Sequence, residues 1–330
     1  MDTALMDTAK VDPEKPDKDI MARAGEVLRR GGLIAFPTET VYGLGADALN
    51  PDAVARVYKV KGRPSDNPLI LHGNSLTELE KAAIFPRDPD SAVYKLAESF
   101  WPGPFTMVLP GQGFQEDKKT VAVRIPSHPV SRALIAASGC IIAAPSANKS
   151  GRPSPTQAWH VAEDFEEGGI DMLIDGGPTH AGLESTVVDL HTGTPRLLRP
   201  GTITAEMLQN TLGEIPLITN PDMAQGGRTE DAPLSPGMKY RHYAPKTPLI
   251  LLVGHPETVR AVAKSYGDKA GFLPAHGEDP NKIARDLFHN LRWFDRMGVS
   301  VIVAEGVKEE GIGLAIMNRL KKAAVEVIYL

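Results

Sequence analysis

Between about Leu212 and Thr247 the apolar periodicity of this chain fades, and GGRTEDAPLSPGMKYRHYAPKTP is dense in proline, glycine and charge. A stretch of that length with no repeating apolar face cannot bury itself, so it either serves a site or joins two cores. The break constrains the fold more than any other feature, because it divides 330 residues into two packed units. We divide the chain into a leader over 1–18, a first domain over 19–213, a linker over 214–247 and a second domain over 248–330. The leader, MDTALMDTAKVDPEKPDK, is polar and broken by prolines, which reads as disorder. It has neither the apolar core of a secretory signal nor the arginine-rich bias of a transit peptide. No apolar run approaches the ~18 residues that span a bilayer. The expectation is a soluble, cytoplasmic protein without a membrane partner.

Helix and strand signals interleave in the first domain. Asp19 to Arg30 carries Ile20, Ala24, Val27 and Leu28 on one face and stops at the Gly31-Gly32 pair. LIAFPT, NPLILHG, FTMVLPG, TVAVRIP, CIIAAPS, DMLIDGG, STVVDL and PRLLRPG read as short buried strands. Further helices are predicted from Pro51 to near Gly62, Asp88 to Phe100 and Pro129 to Ser138, with a glycine-rich loop after LIAFPT. Without strict β-α-β regularity, an α/β fold with a sheet of mixed strand direction is expected. After the linker, LILLVG, a Pro256–Ser265 helix, GFLPA, a long helix with Ile283, Leu287, Leu291 and Phe294 at helical spacing, VSVIVAE, Gly311–Ala324 and VEVIYL alternate cleanly. That pattern predicts a smaller, doubly wound Rossmann-like domain. It holds no G-x-G-x-x-G, so the fold does not imply a dinucleotide.

Composition excludes several functions. A net charge of −5 gives no bulk grip on nucleic acid. The single cysteine, Cys140, lies inside a strand-like run and is expected to be a core residue; it excludes a disulfide framework or thiolate cluster. Phosphate-cradling G-x-x-x-x-G-K-[ST], zinc-binding H-E-x-x-H and the G-x-S-x-G elbow are all missing.

Dispersed groups remain as candidates. In KGRPSDNP, Lys61 and Arg63 lie on a turn set by Gly62 and Pro64, followed by Ser65 and Asn67. An ammonium and a guanidinium held on one turn suit a polyphosphate, though the same residues fit a solvated helix end. APSANKSGRPSPT offers Ser146, Asn148, Ser150 and Ser154 on a Pro/Gly-rich loop that could approach an anion, or is simply polar. Arg124 and Arg199 sit within apolar strand runs and must be paired, reach a cleft, or lie at an edge. In FPTETVYGLG, Thr38, Glu39 and Thr40 follow a strand top, with Glu39 a base or a structural carboxylate, and His72 ends another strand. KYRHYAPK places Lys239, Tyr240, Arg241, His242, Tyr243 and Lys246 on the linker, as a lid over a nucleotide or as a solvated tether.

Taken in order, FPTETVYGLGADA, KGRPSDNPLILH, FWPGPFT, TVAVRIPSHP, APSANKSGRPSPT, ESTVVDL and LLRPG resemble the motifs of the YrdC-like domain of the threonylcarbamoyl-AMP synthase family. SPGMKYRHYAPKTP followed by an α/β unit resembles the long, two-domain form. The resemblance runs from about Ile20 to the C-terminus and rests on the series rather than on any one string. It implies an open, twisted sheet with a concave face. By resemblance, an L-threonine pocket maps to Thr38, His72, Arg124, Ala144 and Ser185. ATP contacts map to Lys61, Arg63, Ser65, Asn67, Thr120, Ser146, Asn148, Ser154, Arg199 and Tyr243, with Lys61 and Arg63 the catalytic pair.

The implied reaction joins L-threonine, bicarbonate (or CO2) and ATP, with Mg2+ on the phosphates and no metal held by protein side chains. Threonylcarbamoyl-AMP and pyrophosphate are the implied products, passed to the tRNA threonylcarbamoyl transferase machinery, with direct tRNA binding not required. Related carbamoyl-transferring hydrogenase-maturation proteins need zinc-finger cysteines that this chain lacks. An RNA-binding module and a threonine sensor without chemistry are the alternatives from other classes.

Overall fold

Helix boundaries fall where capping chemistry puts them. The computed structural model describes residues 6–115, 119–219 and 242–330. Asp17 accepts from two backbone amides ahead of α1 (Lys18–Arg29). Asn50 caps α2 (Pro51–Lys61), which Gly62 ends in the left-handed region. α3 (Leu76–Leu79) and α4 (Ala92–Phe100) follow. α5 (Pro129–Ser138) opens on its proline and stops at left-handed Gly139. α6 (Ala158–Asp164) and α7 (Ala205–Leu212) complete the helices of the first domain.

The strands are β1 (Asp7–Lys10), β2 (Ile34–Phe36), β3 (Gly43–Asp47), β4 (Ile70–His72), β5 (Phe105–Pro110) and β6 (Thr120–Arg124). They continue with β7 (Ile142–Ala144), β8 (Met172–Asp175), β9 (Thr186–Asp189), β10 (Arg196–Arg199) and β11 (Ile218–Thr219). They form one mixed sheet in the order β1-β8-β2-β3-β7-β4-β6-β5-β9-β10-β11. Strand alternation explains both its cores and its opening. Along β2, alternate side chains enter different cores, Ala35 the main one and Ile34 and Phe36 the one under α1 and α5.

 That is, Leu33 and Ala35 face one side of the sheet, and Ile34 and Phe36 face the other. Both faces are covered there, which is why LIAFPT reads as a continuous apolar run. Farther along, Leu71, Val123, Met107 and Val188 turn into the main core. The alternate residues Ile70, Ala122, Val108 and Val187 form a small separate cluster on the opposite face. His72 and Arg124 belong to that second face, and there the cleft opens.

The second domain contains β12 (Leu249–Val253), α8 (Pro256–Ser265), β13 (Ala270–Leu273), α9 (Pro280–Met297), β14 (Val301–Glu305), α10 (Ile312–Ala323) and β15 (Glu326–Tyr329). Its sheet is parallel throughout, in the order β13-β14-β12-β15. α9 and α10 cover one face, through Leu287, Leu291, Ile316 and Leu320. Val259 of α8 covers the other, so the sheet is doubly wound as expected.

Three expectations need correction. The leader over 1–18 is not disordered where it is described: β1 pairs parallel with β8, Ala9 and Val11 are buried, and α1 begins at Lys18. The glycine-rich loop after LIAFPT contains β3, antiparallel to β2. A Cβ on Gly45 would stand 2.6 Å from Ile142 Cγ2, so glycine there permits close strand packing. Within the linker over 214–247, Ile218–Thr219 forms β11 and His242 to Thr247 packs against the second domain. Lys239, Tyr240 and Arg241 lie outside the described residues.

Candidate functional site

β4 and β6 run parallel with His72 directly beside Arg124, so one imidazole and one guanidinium emerge together at the strand ends. Around them lies a cleft with about 720 Å³ of empty space including its solvent mouth. Its lining brings together Thr38, Lys61, Arg63, His72, Arg124 and Ala144. Ser146, Asn148, Ser154, Ser185, Arg199 and Tyr243 complete the residues expected there.

Arg124 is 3% exposed. Its Nη2 lies 2.8 Å from Glu39 Oε1, Nη1 donates to Thr40 Oγ1 at 3.1 Å and Nε to the Gly103 carbonyl at 3.1 Å. Burial alone would raise Glu39, but the Arg124 charge and hydrogen bond bring it below the usual carboxylate range. Glu39 is thus the buried partner of Arg124. Thr38 Oγ1 donates to Val41 O at 2.7 Å and closes the turn. His72 Nδ1 lies 3.0 Å from Ile70 O, and burial, reinforced by Arg124, pushes the ring down to about 3. The imidazole is neutral at neutral pH.

Lys61 links the two polar strings. Its Nζ donates to Ser146 O at 2.5 Å and to Asn148 O, while its own carbonyl accepts from Ser150 N at 2.8 Å. Burial, followed by the nearby Arg63 charge, holds this amine well below the ordinary lysine range. Arg63 donates to Asn67 O at 3.0 Å and Pro68 O at 2.9 Å, and burial lowers it to about 10. Arg199 donates to Ser185 O and Ser185 Oγ, both at 3.0 Å, while Ser185 Oγ also pairs with Thr106 Oγ1 at 2.8 Å. Neither Arg124 nor Arg199 is an edge residue with its head in water: both are buried at the cleft.

Three expected residues are not in the lining. Ser65 is exposed on the turn. Asn67 is 1% exposed and acts through its carbonyl, which holds Arg63. Thr120 begins β6 opposite Pro110, at the far end of the strand from Arg124 but on the same face by alternation. The lining also includes residues the sequence did not single out for the site: Glu184, Arg152 and Gly151. Glu184 is held by Ser154 at 2.5 Å and by Arg319 of α10 at 3.1 Å. A signal for Arg319 exists, since it stands among Ala315, Ile316, Leu320 and Ala323 on an apolar helix face.

Tyr243, at φ 68°, stacks on Phe288 of α9 with centroids 5.3 Å apart, and Ala244 N donates to Gly151 O at 2.8 Å. Cys140 is buried, its thiol pushed up to about 11 by burial, so it is the expected core residue. Among the described residues no three His, Cys, Asp or Glu side chains are grouped to hold a metal, and no helix is long and apolar enough to cross a membrane. The arrangement is suited to binding anions: four cationic side chains converge at Lys61, Arg63, Arg124 and Arg199, two of them countered by Glu39 and Glu184.

Residues 26–201 match the family described as "Telomere recombination", and residues 203–325 match "Threonylcarbamoyl-AMP synthase, C-terminal domain". A threonylcarbamoyl-AMP synthase of Pyrococcus abyssi is 47% identical, over 91% of this chain and 93% of that protein. One from Bacillus subtilis is 44% identical, over 92% of each. The crystal structure of P. abyssi Sua5 complexed with L-threonine superposes with a TM-score of 0.88 at 43% identity, covering 99% of this chain and 100% of that one. Identity of this extent across both domains is not shared by fold alone, and the chain belongs to the threonylcarbamoyl-AMP synthase family in its long, two-domain form.

Proposed function

We propose that the cleft is an L-threonylcarbamoyladenylate synthase site, supplying threonylcarbamoyl-AMP for modification of tRNA in the cytoplasm. The observation that carries this reading is the convergence of Lys61, Arg63, Arg124 and Arg199 on one cleft beside a neutral His72. Arg124 takes the carboxylate of L-threonine, with Thr38, His72, Ala144 and Ser185 around the rest of the amino acid. The threonine amine adds to the carbon of bicarbonate with loss of water, or to CO2 with loss of a proton, giving N-carboxy-threonine. Its carboxylate attacks the α-phosphorus of ATP, forming the P–O bond as the bond to pyrophosphate breaks.

Two anions must meet in this step, so alignment and charge neutralisation are the protein's task and no covalent enzyme intermediate is required. Lys61, Arg63 and Arg199 provide that neutralisation, and Ser146, Asn148 and Ser154 supply short hydrogen-bonding groups along the phosphates. Ser65, Asn67, Thr120 and Tyr243 complete the nucleotide set, Asn67 by setting Arg63. Mg2+ enters as part of the substrate, bound to the ATP phosphates. The product leaves to a tRNA threonylcarbamoyl transferase system, so this chain needs no tRNA grip of its own.

The test is pyrophosphate release from ATP with L-threonine and bicarbonate omitted in turn. Release is expected only with both present. Full release without either would make the protein a plain ATPase and remove the assignment.

A further inference from the structure

The loop from Ser146 to Thr156 is held from outside its own domain. Ser154 Oγ donates to Glu184 Oε1 at 2.5 Å, and Arg319 Nε of the second domain donates to Oε2 at 3.1 Å. The same guanidinium donates from Nη1 to Pro200 O at 2.6 Å. On the other flank, Arg292 of α9 donates to both oxygens of Asp164, at 3.0 and 2.8 Å, and through Nε to Pro153 O at 3.2 Å. Asp164 also accepts from Lys149 N at 3.2 Å, inside the loop. Arg292 and Arg319 are 0% and 1% exposed, so both charges are withdrawn from water.

Buried ion pairs are a poor way merely to glue two domains, because apolar side chains of similar volume hold as well or better. What a guanidinium adds is direction, since its planar fork fixes two acceptors at once. Here each fork spans a carboxylate and a backbone carbonyl, and each carboxylate is bonded to the loop in turn. We propose that Arg292 and Arg319 are positioning residues of the second domain, which fix the loop conformation that presents Ser146, Asn148 and Ser154 to ATP. The inference rests on the ATP reading above. It gives the second domain a task in nucleotide affinity, because a loop ordered before binding loses less freedom when the ligand arrives.

The test uses the full chain and α,β-methylene-ATP, which cannot be cleaved at the reacting bond, with calorimetric titration of this analogue and of L-threonine. Arg319→Ala and Arg292→Ala should each weaken the nucleotide by about tenfold or more, while threonine affinity stays within about twofold. Arg319→Lys guards against a variant that fails to fold, since it keeps the charge and loses the fork. Its effect should largely vanish in a Ser154→Ala background, the mark of action through Ser154. Equal weakening of both ligands, additive effects in the double variant, or unchanged nucleotide affinity would each overturn the proposal and leave the arginines as interface residues. If the unaltered protein fails to bind the analogue, the ATP reading falls and this inference with it. Normal binding there with undisturbed variants removes only the inference.

Discussion

Arg124 Nη2 stands 2.8 Å from Glu39 Oε1, and its register partner across the strand pair is His72. Glu39 thus holds a buried guanidinium in place beside a neutral ring, leaving Arg124 aimed at the cleft. Arg124→Ala is expected to act mainly on the amino acid, raising the KM for L-threonine by about thirtyfold or more, as for loss of one partner in a buried charged pair, about 2–5 kcal/mol. The KM for ATP should change far less. Arg124→Lys should not restore the wild-type value, because an ammonium lacks the fork that meets a carboxylate. Steady-state kinetics with each substrate varied decides the point; equal rises in both KM values would count against an amino-acid role.

Lys61 and Arg63 lie two residues apart, yet their substitutions should differ. Lys61 Nζ bonds two loop carbonyls, so Lys61→Ala leaves Ser146 O and Asn148 O without that donor. A stability loss of about 1–3 kcal/mol is expected alongside a turnover loss of about a hundredfold. Arg63→Ala should lose turnover by about the same factor with a smaller change in stability, because its two acceptors lie on the partly exposed turn. Denaturation midpoints and pyrophosphate release rates, measured together, separate these outcomes. Normal turnover of Arg63→Ala would return the basic turn to a solvated helix end.

Lys61, Arg63, His72, Arg124, Ser146 and Arg199 were legible because each sits in a short local string at the end of a strand or helix. Strand ends converge in an α/β sheet, so local pattern and site coincide. β1 was hidden because only Ala9 and Val11 turn inward within a polar segment, and its partner β8 lies far along the chain. β3 was hidden because Gly43 and Gly45 remove the side chains that would show its alternation. Arg292 and Arg319 could be flagged as charges on apolar helix faces, but not paired. Their carboxylate partners lie 128 and 135 residues away.

Acid should destabilise this fold earlier than its carboxylates alone would dictate. Burial, with help from nearby arginines, pushes His72 down to about 3, His160 to about 2 and His242 to about 4. Their unfolded value is 6.5. Below that pH the unfolded chain binds protons that the folded chain refuses, so stability is complete above 6.5 and falls as pH drops. Each histidine costs about 1.4 kcal/mol per pH unit, or about 2 kcal/mol on going from pH 6.5 to 5. Glu39 and Glu184, held below 4.5, act in the same direction but only below that value. Urea midpoints between about pH 5 and 8 measure the slope, and His160→Gln should remove part of it, the rest staying with His72, His242 and the other lowered rings, His128 and His289. A flat profile in this window would show that these rings do not stay neutral in the fold.

Gly182 of the first domain stands directly against the backbone of α9. It has φ +73°, and a Cβ there would meet Arg285 O of α9 at 2.2 Å and Arg285 Cα at 2.3 Å. The next residue, Leu183, belongs to the apolar cluster of the second domain, together with Val41 and Tyr243. Gly182→Ala must therefore either push α9 away or withdraw Leu183 from that cluster. Overpacking of this kind costs about 1–3 kcal/mol, and the left-handed backbone adds about 1 kcal/mol more. Gly193, at φ +86° with nothing within 4 Å of its Cβ, provides the comparison. Gly193→Ala should cost only the backbone strain, about 1 kcal/mol. Gly182→Ala should cost more and should also loosen the contact between domains, seen as a larger radius of gyration by solution scattering. Equal stability losses for the two variants, with unchanged scattering, would mean that the Gly182 contact with α9 does not set how the domains dock.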